Sequence, residues 1–185
     1  MMIFKMKVLR LCALAATLCS APLAAQVQTE VPPLVAGAKP VAMEHIKIHG
    51  SALEGNLEGD AVDRDVFVFL PPGYAKEKRR RYPVVYALHG FFIGAEQWTH
   101  EIHVPQTIEG AFAQGAREMI VVLPDSKTLH NGSVYSSSVT TGDFENFIAR
   151  DVVEYVPLIT ARWRAVRVAA SPGIRWAATA QRVSA

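Results

Sequence analysis

The sequence predicts an α/β fold with a mostly parallel sheet, and three observations carry that prediction. Two continuous aliphatic runs, "YPVVYALHG" (Tyr82 to Gly90) and "MIVVLPD" (Met119 to Asp125), have the composition of strands buried on both faces. Two other segments, "EHIKIHG" (Glu44 to Gly50) and "DVFVFLPPGY" (Asp65 to Tyr74), alternate apolar with polar or nearly so, as half-buried strands do. Two stretches of helical spacing fall after these runs, and strand, loop, helix, strand, loop, helix is the order of crossover connections.

The elements follow in chain order. Residues 1–25 read as a secretory signal: Lys5, Lys7 and Arg10 precede the apolar run Leu11 to Leu18, then small residues and Pro22 lead to a cleavage site after Ala25. The run is too short to span a bilayer, so the expected location is secreted or periplasmic, with no membrane span. Cys12 and Cys19 both lie in this leader, which leaves the mature chain without disulfides, thiolate catalysis or cysteine metal sites. Removing the three leader cations leaves 16 basic against 17 acidic residues, a formal charge of −1, and nothing in that balance points to nucleic acid. Residues 26–43, with Pro32, Pro33 and Pro40 and no period, read as a linker, and the domain runs from 44 to 163. The basic run Lys76 to Arg81 is a solvated loop before a buried strand. One helix starts near Pro105, presents Ile108, Ala111 and Phe112 on one face and ends at Gly115. A second starts at Asp143 as N-cap, spaces Phe144, Phe147, Ile148, Val152 and Tyr155 helically, and stops at Pro157.

Chemistry is expected beyond the C-terminal ends of the strands, where open α/β sheets bind ligands. One such end leaves through His89-Gly90, where glycine lets the backbone turn so that the amide of Phe91 can point into a cleft. The other leaves through Pro124-Asp125 into a Gly- and Ser-rich loop. Ser133, Ser136, Ser137 and Ser138 in that loop lack glycines on both sides and read as loop hydrogen-bonding groups. Asn131-Gly132-Ser133 fits a glycosylation acceptor and a tight turn equally. His100 and His103 have no third ligand patterned nearby, so no metal is implied. Trp98 either packs over a helix or lines the mouth of the cleft.

The series "VFVFLPPGY", "YPVVYALHGFFIGAEQW", "MIVVLPDS" and "NGSVYSSSVTTGDFENFIARDVVEYV" resembles the esterase D family, which includes S-formylglutathione hydrolases, feruloyl and acetylxylan esterases and mycolyltransferases. The resemblance runs from Asp65 to Trp163 and implies the N-terminal half of a three-layer α/β-hydrolase fold. It implies an ester or thioester hydrolase working through a serine acyl-enzyme, with no cofactor and with a small-molecule, carbohydrate or lipid ester as substrate. It also implies that the Phe91 N–H serves in the oxyanion hole, and that His89, Gly90, Phe92, Trp98, Asp125 and Tyr135 line the substrate cleft. The triad acid follows the nucleophile in this fold, so Asp125 is expected to cap or brace a loop.

The sequence then departs from the pattern. No Gly-x-Ser-x-Gly occurs in it, and the place of that turn is held by "ASPGIRWAATAQR" (Ala170 to Arg182). Read one base out of frame, Pro-Gly-Ile-Arg-Trp-Ala-Ala-Thr-Ala accommodates Gly-His-Ser-Met-Gly-Gly-Tyr-Gly, with the glycine after Met forced by the single Trp codon. The expectation is therefore a frame slip between Arg164 and Ser171, an out-of-frame tail over 164–185, and a truncated, inactive chain without nucleophile, acid or base. The alternative is a non-catalytic carbohydrate-binding module or a remnant α/β fragment. Loss of the central nucleophile strand would leave the Tyr82 to Gly90 strand with a bare apolar edge.

Overall fold

The computed structural model of the chain describes residues 30–160 and 163–170. Its main sheet contains β1 (Ala42–His49), β2 (Asp63–Leu70), β3 (Tyr82–Leu88), β4 (Ile120–Pro124) and β7 (Trp163–Ala170), in the spatial order β1-β2-β4-β3-β7. A 3₁₀ turn, Ser51–Leu53, follows β1. Helices α1 (Ala95–Glu101) and α2 (Val104–Ala113) connect β3 to β4, and a small hairpin, β5 (Ser137–Ser138) with β6 (Gly142–Asp143), precedes α3. Helix α3 is α-helical over Phe144–Asn146, π-helical over Phe147–Val152 and α-helical again over Val153–Thr160.

The sheet is mixed, which corrects the expectation of a mostly parallel one. β1 pairs with β2 and β2 with β4 in antiparallel register, Ile46 opposite Val66 and Phe67 opposite Leu123. Only β4, β3 and β7 run parallel, joined by Val85 with Val121 and by Tyr86 with Val168. Composition hid this because β2 is buried on both faces, and two-sided burial fixes hydrophobicity without fixing strand direction.

Period-two alternation divides the core into two layers around the sheet. Val66, Val68 and Leu70 of β2, Tyr82, Val84 and Tyr86 of β3, and Ile120 and Val122 of β4 face Phe144, Phe147, Ile148, Val152 and Val156 of α3. Phe67, Phe69 and Leu123 point to the other side and meet Ala95 and Val104, with Trp98 and Ile108 packed against them. Each such large side chain, withdrawn fully from water, contributes about 1.5–3 kcal/mol. The three layers anchor β3 and β4 from both faces and hold their C-terminal ends side by side.

Several boundaries differ from the sequence reading. β1 begins at Ala42, inside the segment read as linker, and α1 was not anticipated at all. Asp143 is the N-cap of α3 as expected, its carboxylate accepting the Asn146 N–H at 3.1 Å. The helix continues through Pro157 to Thr160, past the stop expected there. β7 pairs with β3 from Trp163 to Ala170, so the bare β3 edge expected from the sequence is covered on that side. The segment read as a leader lies outside the described residues, as does the stretch from Ser171 onward.

Candidate active site

The ends of β3 and β4 are tied together by one buried histidine. His89 is 1% exposed, and its Nε2 accepts the backbone N–H of Ser126, just past β4, at 2.9 Å. A ring nitrogen that accepts carries no proton, so the neutral ring holds its proton on Nδ1, which donates to the Gly90 carbonyl at 2.9 Å. Burial is the largest influence on this imidazole and holds its pKa below the ordinary 6.5; Arg64 and Lys127 act in the same direction, against the Gly90 carbonyl and Asp125. The Tyr135 hydroxyl donates to the His89 carbonyl at 2.9 Å. Burial raises the Tyr135 pKa, keeping the phenol protonated as that donor.

Asp125 braces this junction from below. Its Oδ2 lies 2.6 Å from Nη2 of Arg64, which is 7% exposed, and its Oδ1 accepts the Ala95 N–H at 2.9 Å, closing the first turn of α1. Arg64 also donates to the carbonyls of Ala61, Asp125 and Lys127. Asp125, expected both to line the cleft and to brace a loop, is engaged in these contacts with Arg64 and Ala95.

Ser126, His89 and Asp125 resemble a nucleophile, base and acid in composition but not in geometry. Ser126 Oγ lies 3.2 Å from Nε2, yet Asp125 Oδ1 lies 3.6 Å from the same nitrogen, while Nδ1 faces a carbonyl. In a working triad the acid holds the opposite nitrogen and the hydroxyl is open to substrate, whereas Ser126 is 2% exposed.

Above the junction lies an apolar rim. Phe91 and Phe92 form a turn after β3 and stack edge to face with centroids 4.6 Å apart, and the Phe92 N–H donates to the Asn131 carbonyl at 2.9 Å. Phe91 lies so close to Gly132 that a β-carbon there would sit 2.5 Å from its ring. Phe91, Phe92, Leu129 and Val134 are all exposed. Four residues of this rim and its support, Phe92, Asn131, Val134 and Tyr135, have φ between 53° and 74°. That left-handed backbone is costly for a β-branched valine, and such strain gathers where function constrains the chain.

The anticipated residues therefore separate. His89, Gly90, Phe91, Phe92, Asp125 and Tyr135 gather at the strand ends, while Trp98 sits on α1 against the Phe67, Phe69 and Leu123 cluster, the packing alternative left open by the sequence. Ser133 and Ser136 make loop hydrogen bonds: Ser133 Oγ accepts the Tyr135 N–H at 3.1 Å, and Ser136 Oγ donates to the Ser133 carbonyl at 3.0 Å. Asn131 closes a turn onto Thr128. His103 stands at the N-cap of α2. A hollow beside the β5–β6 hairpin, lined in part by Glu54, Asn56, Leu57 and Ser138, contains none of the strand-end residues. Ser126 and Arg64 were missed. Arg64 was nonetheless legible, since it alternates in phase with Val66, Val68 and Leu70 on the buried face of β2.

The fold resembles that of solved esterase structures. A ferulic acid esterase structure superposes with a TM-score of 0.59 at 22% identity, over 71% of this chain and 49% of that one. A ferulic acid esterase from Anaeromyces mucronatus in complex with ferulic acid gives 0.50 at 22% identity, over 81% and 53%. The feruloyl esterase module from Clostridium thermocellum complexed with sinapinate gives 0.50 at 16% identity, over 75% and 41%. At these identities the likeness is one of fold, and the chain spans about half the length of the structures it matches. No curated protein sequence matches the chain. The model of the family described as Putative esterase matches residues 61–157, from the loop before β2 into α3, which is more than half of the 185 residues, and the chain belongs to that family.

Proposed function

We propose that this chain is the N-terminal half of a secreted or periplasmic serine ester hydrolase, in which the Phe91 N–H serves as an oxyanion donor and the strand-end rim receives the acyl group. The observation that carries this reading is the turn after β3. His89 and Tyr135 clamp it from the buried side, Phe91 and Phe92 are exposed, and Phe92 holds a left-handed backbone at φ 67°. An oxyanion donor must be fixed before the reaction, and losing one costs about 2.7–4 kcal/mol of barrier. The exposed pair Phe91 and Phe92 suits a flat aromatic acyl group such as a hydroxycinnamate, the class bound in the Anaeromyces esterase structure.

The same reading includes the frame slip after Arg164. In it the residues after Arg164 no longer encode the Gly-x-Ser-x-Gly turn, and the chain as written does not turn over esters. Hydrolysis of p-nitrophenyl acetate and methyl ferulate tests this. The expected result is no turnover by the chain as written, and turnover after the shifted frame is restored, lost again on changing the serine of the restored Gly-His-Ser-Met-Gly to alanine. Turnover by the unaltered chain that disappears in Ser126→Ala or Ser133→Ala would overturn it. Nucleotides across 163–185 that contain no such turn in any frame would do the same.

A further inference from the structure

The tautomer of His89 has a consequence one peptide further on. All described peptide bonds are trans, and in a trans peptide the C=O and the following N–H point in opposite directions within one plane. His89 Nδ1 holds the Gly90 carbonyl at 2.9 Å, so the N–H of the same peptide, that of Phe91, is turned away from the buried imidazole. The preceding peptide is fixed in the same way, its carbonyl being held by the Tyr135 hydroxyl at 2.9 Å. Two consecutive peptide planes are thus set by side chains at a place where glycine would otherwise leave the backbone free.

We propose that His89 is a positioning residue which, as the Nδ1–H tautomer imposed by the Ser126 N–H, aims the Phe91 amide outward as a hydrogen-bond donor. The chain of control runs from β4 to the turn after β3: Ser126 N–H occupies Nε2, the proton is confined to Nδ1, Nδ1–H holds Gly90 C=O, and Phe91 N–H follows. The groups facing the ring are Asp125, Arg64, Lys127, Ser126 and Tyr135. An imidazolium would place a second N–H against that of Ser126, so the clamp holds only while the ring is neutral. The catalytic meaning of this aim rests on the oxyanion reading above; the aim itself does not.

Solution NMR on the full chain separates the two. Gly-Phe occurs once in the sequence, so carbonyl-labelled glycine with ¹⁵N-phenylalanine isolates the Gly90–Phe91 peptide. The ¹⁵N spectrum of His89 is expected to show a neutral ring protonated at Nδ1 at pH 6.5. An Nε2–H ring or an imidazolium at that pH overturns the proposal in the wild-type chain, without any variant. Asparagine places its amide near the δ position, where it can donate to the Gly90 carbonyl, whereas glutamine places its amide near the ε position, where it can accept the Ser126 N–H but does not reach that carbonyl. The Phe91 N–H residual dipolar coupling is therefore expected to be retained in His89→Asn and altered in His89→Gln. The same coupling in wild type and both variants overturns the proposal. A confirmed tautomer and coupling pattern, with no ester turnover after the frame is restored, would leave the positioning role standing and sink the oxyanion reading.

Discussion

At the scale of single residues, one buried charge, Arg64, and one buried neutral ring, His89, decide how the strand ends behave. Arg64 pairs with Asp125 at 2.6 Å and caps three carbonyls, and truncating one partner of a buried pair leaves the other charge desolvated. Arg64→Ala is expected to lower stability by about 3 kcal/mol, read from the urea midpoint at unchanged m-value, with Asp125 keeping some access to water. His89 acts through neutrality. Its folded pKa lies below its unfolded value of about 6.5, so the unfolded state binds more protons and stability falls as pH drops from 6.5 through the folded pKa. His49 has the opposite sign: hydrogen bonds to Asp63 and then Glu54 raise its pKa, so its contribution is present below 6.5 and lost as pH rises through the folded value. His49 is fully exposed and screened, and the acid-side loss from His89 is expected to dominate. Melting temperatures between pH 7 and 5 check this: they should fall in wild type and fall less steeply in His89→Asn.

At the scale of elements, the π-helical stretch of α3 shows packing overriding local regularity. Phe147, Ile148 and Val152 are buried against the sheet, while Asp151 in the same stretch reaches the 3₁₀ turn, accepting Ser51 Oγ at 3.1 Å and Ala52 N–H at 3.0 Å. A wider turn is one way for a helix to present both an apolar face and an off-axis carboxylate. Asp151→Ala is expected to cost about 1 kcal/mol, the usual worth of a lost cap, seen as a lower urea midpoint. Gly50 marks the other side of this contact. Its backbone is at φ −90°, open to any residue, but a β-carbon would meet Phe147 at 2.8 Å and Leu53 at 2.9 Å. Gly50→Ala is therefore an overpacking change, expected to destabilise by about 1–3 kcal/mol with no contribution from backbone strain. The spacing of α3's apolar residues was legible in sequence, as was the Asp143 cap. The π turn was not, because it depends on where the Ser51–Leu53 turn lies, 100 residues away by the Ser51–Asp151 contact.

At the scale of the whole molecule, stability turns on the strand that borders β3. β7 gives β3 a parallel partner from Tyr82 to Leu88, opposite the β4 ladder. A chain ending at residue 160 would lose that ladder and present the edge of an apolar strand, and is expected to aggregate where the full chain does not. Size-exclusion chromatography with light scattering distinguishes the two. The sequence alone determined the α/β class, the strands β1 to β4, the two-faced burial of β3 and β4 and the Asp143 cap, since these rest on periodicity and on chemistry within a few residues. It also marked the two strand ends where the candidate residues gather, because strand C-termini are readable wherever a buried run meets a turn. Only the tertiary structure decided the antiparallel half of the sheet, the helix Ala95–Glu101, the pairing of Arg64 with Asp125, and the tautomer of His89. Each of these is set by a partner far along the chain: hydrogen bonds and desolvation act through space, and a residue's neighbours in sequence do not specify which carbonyl, amide or charge it will meet.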